Sequence, residues 1–215
     1  MIRDNIPNSP ADATVLPFQG GGGELETHPW QPFLPGNCRL IMLGSFPPSP
    51  KRWSMDFFYP NFTNDMWRIF GWCFYGDKNH FVDLSRKTFR QDLLIPFLEL
   101  KGIGLYDTAR VVRRLKNTAS DKDLEVVEAV DLSSLMSMAP YCQAVATTGQ
   151  KATDILCAQF GIEHQPALGS AVEFAFEGRT MQLFRMPSSS RAYPLPIERK
   201  AAVYRQMFEH LQLLP

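Results

Sequence analysis

Residues 38–45 read CRLIMLGS, an apolar run that closes on Gly44 and Ser45 and is followed at once by Pro47, Pro48 and Pro50. A short, continuous apolar run bounded by Gly and Pro has the pattern of a strand buried on both faces, and such strands belong to parallel sheets covered by helices. The prolines then force the chain into a loop. Beyond that loop, Met66, Trp67, Ile69, Phe70, Cys73 and Phe74 recur at helical spacing, with Thr63 or Asn64 placed to cap the helix. A second helix is expected over residues 85–95, ending near Pro96, and residues 103–107 (IGLYD) read as a second strand. Residues 121–130 and 132–138 read as helical. Residues 143–148 form a third strand that meets Gly149 and opens a helix through Cys157. Residues 172–176 and 181–186 flank the Glu177-Gly178 turn as a hairpin whose second arm is the fourth core strand. In the last helix Ile197, Ala201, Tyr204, Phe208 and Leu211 share one stripe. Strands alternating with helices predict an α/β fold, a three-layer α/β/α sandwich with a central, mainly parallel sheet of four or five strands.

The 215 residues suffice for one compact domain, and 45% apolar with 20% charged residues are ordinary globular proportions, which exclude a disordered, collagenous or coiled-coil chain. Residues 1–35, rich in Pro, Gly and Asn and containing Gly20 to Gly23, read as a tail or wrapping segment, with Trp30, Phe33 and Leu34 docking on a body formed by residues 36–215. No apolar run approaches the ~20 residues that span a bilayer. Residues 1–13 lack the apolar core of a signal peptide and carry Asp4 and Asp12, so a cytoplasmic location and no membrane partner are expected. Cys38, Cys73, Cys142 and Cys157 contain no CxxC pair and read as reduced thiols. His28, His80, His164 and His210 form no ligand pattern, so no metal is expected.

Lys plus Arg balances Asp plus Glu at 22 each, so no global basic field announces a nucleic acid. Local fields remain: Arg110, Arg113, Arg114 and Lys116 lie together without an acid, and residues 178–205 carry six basic side chains against Glu198. Ligands of open parallel sheets bind outside the carboxyl ends of the strands. The loops there are unusual. One runs Gly44-Ser45-Phe46-Pro47-Pro48 into Phe57, Phe58, Tyr59, Asn61 and Asn64; another is Met186-Pro187-Ser188-Ser189-Ser190-Arg191-Ala192. Together they supply stacking surfaces, hydroxyl and backbone donors and a cation, a set that suits an extruded base and its flanking phosphates.

The order GSFP (44–47), FFYPN (57–61), NDMW (64–67), GIGLYD (102–107), TTGQKA (147–152) and MPSSSRA (186–192) resembles the uracil-DNA glycosylase superfamily, closest to its hypoxanthine-DNA glycosylase-like branch. The resemblance runs from about residue 38 to the C-terminus. It implies an α/β/α sandwich, no cofactor, DNA containing a damaged or mismatched base as the partner of a monomer, and hydrolysis of an N-glycosidic bond. Many members carry Asp or Asn two residues after the first glycine to position the attacking water; here that place holds Phe46. The hypoxanthine-type branch uses instead an Asn before an aromatic helix start, and the matching residue is Asn64. Pro48 stands where that branch usually has Gly.

By this resemblance Asn64 is the water-positioning residue, or otherwise only a helix cap. Ser188 and Ser189 are donors to base or phosphate. Phe46, Phe58 and Tyr59, with Gly44 and Ser45, bind the base, and Arg191 enters the gap it leaves. Ser190, Arg191, Arg110, Arg113 and Arg114 contact DNA. Asp107 reads as a helix cap rather than an active-site carboxylate. Three rivals have thinner support. A serine hydrolase lacks a GxSxG elbow, a P-loop would need glycine where Ala144 stands, and Gly102-x-Gly104 has no third glycine. The stronger alternative is a catalytically inactive glycosylase-like module that binds DNA or nucleotides.

Overall fold

A computed structural model of the chain describes residues 24–116 and 121–214. In chain order the elements are β1 (Leu25–Thr27), β2 (Leu40–Gly44), α1 (Met66–Tyr75), β3 (Val82–Asp83), β4 (Thr88–Phe89), α2 (Gln91–Lys101), β5 (Ile103–Asp107), β6 (Ala109–Arg114), β7 (Leu124–Ala129), α3 (Leu132–Ser137), β8 (Ala144–Thr147), α4 (Gln150–Phe160), β9 (Ala171–Phe176), β10 (Arg179–Arg185) and α5 (Ile197–His210). The central sheet has five strands in the order β5-β2-β8-β10-β9. Its first four strands are mutually parallel and β9 pairs antiparallel with β10 at the edge. Every residue of β2, β5 and β8 is buried, as their largely apolar sequences require, with Asp107 and Thr147 as the polar ends of β5 and β8.

The parallel register sets Gly44 opposite Asp107 and Leu43 opposite Thr147, so three strands end level with one another. Helix α1 packs against α5, where Trp67, Phe70, Tyr204 and Phe208 have no exposed surface. Fully burying a large apolar side chain contributes about 1.5–3 kcal/mol, which fixes these two helices firmly on the core. Gly76 at φ 68° ends α1 in the left-handed conformation that a glycine adopts without strain.

Three expectations are corrected. Residues 85–87 are not helical; they form the turn of the β3–β4 hairpin, where the Asp83 carboxylate accepts from the Ser85 hydroxyl and the Arg86 N–H. The helix begins later and continues through Pro96 to Lys101, because burial of Leu94, Phe97 and Leu98 outweighs the lost N–H. Residues 124–129 are strand β7, not helix. Val126 and Val127 favour a pleated chain, and Glu125 and Glu128 pair across the ladder with Arg113 and Arg110 of β6.

Residues 1–23 of the expected tail lie outside the described residues. Within residues 24–35, Trp30, Phe33 and Leu34 pack on the core, and Phe33 bridges Leu105. The same stretch also adds β1, paired antiparallel with β6 to make a second sheet, β1-β6-β7. All four cysteines are free and buried. Among the described residues no helix is long and apolar enough to cross a membrane.

Candidate functional site

The loops leaving β2, β5, β8 and β10 contribute residues to one cavity of about 240 Å3. Pockets for drug-sized ligands span roughly 300–1,000 Å3, so this space suits a smaller group. Gly44, Ser45 and Phe46 come from the first loop, and Phe58, Tyr59 and Asn64 from the segment before α1. Ser188, Ser189, Ser190 and Arg191 come from the loop after β10, and Arg114 from β6. Residues more than 140 positions apart in sequence are thus neighbours because parallel strands all point their carboxyl ends the same way.

Arg110 and Arg113 are not brought there. On β6 they pair with Glu128 at 3.2 Å and Glu125 at 2.9 Å. Arg114 reaches the cavity already engaged, its Nε donating to Glu26 Oε1 at 2.6 Å and its Nη2 to the Pro47 carbonyl at 2.7 Å. The basic cluster read from the sequence is therefore largely neutralised by acids on β1 and β7.

The loop after β10 is tied to α1 and α5 by buried polar groups. Lys200 has no exposed surface; its ammonium donates to Asp65 Oδ2 at 3.0 Å and to the Ser190 carbonyl at 2.7 Å. Tyr204 donates its hydroxyl to the Pro187 carbonyl at 2.9 Å, and burial holds that phenol well above its usual pKa. The Asp65 N–H donates to the Ser189 carbonyl at 2.9 Å, which sets the serine turn directly against Asn64-Asp65. Within the turn the Ser190 N–H donates to Ser188 Oγ and the Ala192 N–H to Ser190 Oγ. Arg191 approaches Asp65 Oδ1 at 3.4 Å while its side chain stays 65% exposed.

Asn64 is half-buried in the cavity wall, and its Oδ1 accepts from the Met66 N–H at 2.9 Å. The N-cap of α1 is Asp65, without a side-chain cap; Asn64, one residue earlier, bonds the first N–H of the helix and also lines the cavity. The three aromatic residues divide. Phe58 is 3% exposed and packs on Trp30 and His28, so it is mainly core. Phe46 is half-buried, with the Arg114 guanidinium 5.7 Å from its ring centre. Tyr59 sits at φ 51°, a conformation that costs a non-glycine residue about 1–3 kcal/mol. Its ring meets Trp67 edge-on and its hydroxyl lies 3.1 Å from Thr148 Oγ1.

Two residues of the site were not legible as such. Asp107 caps no helix, since strand β6 follows it within two residues; it lines the cavity instead. His28, without a motif in the sequence, has its Nε2 2.9 Å from Asp107 Oδ2, and the partners stand 79 residues apart. The one available signal was a polar residue set just before the docking residues Trp30 and Phe33. Among the described residues no group of three or more His, Cys, Asp or Glu could hold a metal ion.

This arrangement offers aromatic side chains, a cluster of hydroxyl and backbone donors, one carboxylate and two exposed arginines, Arg52 and Arg191, around one small cavity. No protein-family model matches the chain, and no curated protein does so. Among solved structures, the solution NMR structure of a candidate uracil DNA glycosylase from Methanosarcina acetivorans is similar with a TM-score of 0.58 and 21% identity, over 88% of this chain and 99% of that one. At that identity the likeness speaks for the fold alone.

Proposed function

We propose that the chain is a monofunctional DNA glycosylase that hydrolyses the N-glycosidic bond of a deaminated or mismatched base, as the first step of base excision repair. The observation that carries this reading is the convergence of Asn64, the Ser188-Ser189-Ser190 turn, Phe46, Tyr59 and Arg191 on one base-sized cavity at the carboxyl ends of a parallel sheet. The motif order and the shared fold with the Methanosarcina acetivorans protein support it. The narrower likeness to the hypoxanthine-type branch, and the three-layer arrangement that goes with it, rest on the sequence motifs.

In the proposed reaction the base leaves the duplex stack and enters the cavity, where Phe46 and Tyr59 stack on it. The C1′–N bond breaks with its electron pair on the departing base, and positive charge builds on the sugar. A water placed by the Asn64 amide forms the new C1′–O bond, and its proton and the base anion recombine through solvent. Hydrogen bonds from Ser188, Ser189 and neighbouring backbone N–H groups stabilise the charge on the base, each well-aimed donor being worth about 3 kcal/mol. Arg191, exposed beside the serine turn, follows the gap and the adjacent phosphates.

A second reading has one observation in its favour. Asn64 Oδ1 is already engaged by Met66, and Phe46 offers no polar atom in its place, which suits a module that binds without cleaving. Oligonucleotides each bearing one lesion, incubated with the purified protein and then treated with alkali to break abasic sites, separate the two. The glycosylase leaves strand breaks at one or more lesions; the binding module shifts the duplex in a gel and leaves it intact.

A further inference from the structure

We propose that Lys200 and Tyr204 are positioning residues that aim the serine turn: by holding two of its carbonyls from behind, they direct the Ser188 and Arg191 N–H groups into the cavity. The inference rests on the glycosylase reading and goes beyond it, since neither residue lines the cavity. Both are fully buried and stand four residues apart, on one face of α5. No residue of α5 lines the cavity, whereas Ser188, Ser189, Ser190 and Arg191 all do, so the turn lies between the helix and the space it serves.

Three carbonyls of the turn are held by donors outside the cavity wall. The Tyr204 hydroxyl donates to Pro187 at 2.9 Å and the Asp65 N–H to Ser189 at 2.9 Å. The Lys200 ammonium donates to the Ser190 carbonyl at 2.7 Å, where the Tyr193 N–H also donates at 3.1 Å. In a trans peptide the C=O of one residue and the N–H of the next point in opposite directions. A Pro187 carbonyl turned to Tyr204 therefore points the Ser188 N–H away from α5, and a Ser190 carbonyl turned to Lys200 does the same for the Arg191 N–H. The middle N–H, on Ser190, is engaged within the turn by Ser188 Oγ at 3.2 Å. Among the described residues the Ser188 and Arg191 N–H groups have no backbone partner, which leaves them for a ligand.

The chemistry of these anchors suits orientation more than adhesion. A buried ion pair is a weak stabiliser compared with apolar side chains of the same volume, and Lys200 with Asp65 Oδ2 at 3.0 Å is such a pair. An apolar pair, however, could not hold a carbonyl at a fixed point. The ammonium also polarises the peptide it binds, drawing electrons toward the Ser190 oxygen and making the Arg191 N–H a stronger donor. As the C1′–N bond breaks, negative charge appears on the base, and donors already aimed at that charge lower the barrier without reorganising. A turn released from α5 would keep its donors and lose their aim.

The test sets two anchor variants against a control. Tyr204→Phe removes one hydroxyl and keeps the packing, and Lys200→Met removes the ammonium. Phe208→Leu loosens the same helix at its contact with Phe70 of α1 without touching the turn. Well below their unfolding midpoints, each is measured for single-turnover excision of the lesion released fastest among uracil, hypoxanthine, xanthine and a thymine mismatch. Affinity is read by fluorescence anisotropy on the 2′-fluoroarabino form of that duplex, whose glycosidic bond resists hydrolysis. Residual dipolar couplings report the direction of each backbone N–H. Tyr204→Phe should slow excision by roughly tenfold or more, keep affinity within about twofold, and change the coupling of Ser188 but not those of β8. Lys200→Met should do the same with Arg191; if it does not fold by circular dichroism, Tyr204→Phe carries the test alone. Phe208→Leu should keep the wild-type rate and both couplings. Anchor variants with the wild-type rate or wild-type couplings overturn the proposal, as does Phe208→Leu slowing excision equally, because lost stability would then explain the effect. If wild-type protein releases no lesion, the glycosylase reading fails and the couplings alone decide: changes at Ser188 and Arg191 support the anchors, and unchanged couplings overturn them.

Discussion

At the scale of single residues, Asn64 carries two roles that can be pulled apart. Its side chain accepts from the Met66 N–H at the start of α1, so Asn64→Ala should lower stability by about 1 kcal/mol in urea denaturation. Its proposed work on the water should make single-turnover excision fall by about 100-fold, close to 3 kcal/mol, with DNA binding nearly intact. Asn64→Ser keeps an oxygen for the Met66 N–H and should recover the stability without the rate; recovery of both would leave Asn64 a structural residue alone. Gly44→Ala should destabilise by about 1–3 kcal/mol, because its methyl must displace the Asp107 carboxylate. Side-chain chemistry explains how much of the site could be read in the sequence. Hydroxyls, Asn64 and Arg191 announce themselves because they sit in short motifs at strand ends. His28 and Asp107 do not, since what makes them a pair is a hydrogen bond closed only by β1 docking on β6 and β5 aligning with β2.

At the scale of elements, the buried Lys200 links α5 to α1 and to the serine turn. Removing it leaves Asp65, 4% exposed, with Arg191 alone. Breaking one partner of a buried pair costs about 3–5 kcal/mol. Lys200→Met should therefore lower the midpoint of thermal unfolding strongly, and an unchanged midpoint would mean that the pair holds nothing together. The core strands were legible because a parallel strand buried on both faces needs a largely apolar run, and β2, β5 and β8 each have one up to their carboxyl ends. Strand β7 was not, because LEVVEA spaces its apolar residues as a helix would, and only the opposing arginines of β6 decide for a strand. Helix α2 was misplaced for a related reason: Pro96 marks a helix end locally, and the buried Leu94, Phe97 and Leu98 carry the helix past it.

At the scale of the whole molecule, on the proposed reading, a chain of zero formal charge whose β6 arginines are paired with acids holds DNA through few phosphate contacts. The slope of log affinity against log salt should be shallow, about −2 to −3, and Arg191→Ala should make it shallower by about one while Arg110→Ala leaves it unchanged. Equal effects of the two variants would place the DNA elsewhere on the surface. The fold class could be read from strand and helix alternation alone, whereas the cavity could not, because its volume and its lone carboxylate depend on how four loops close together. The account stands or falls on whether this cavity cuts a base from DNA. Single-turnover excision on a panel of duplexes bearing uracil, hypoxanthine, xanthine or a thymine mismatch, in the presence of a metal chelator, tests this most directly. The account predicts abasic sites at one or more of these lesions with wild-type protein and about 100-fold slower release with Asn64→Ala. No release from any duplex, or release that Asn64→Ala leaves at the wild-type rate, would contradict it.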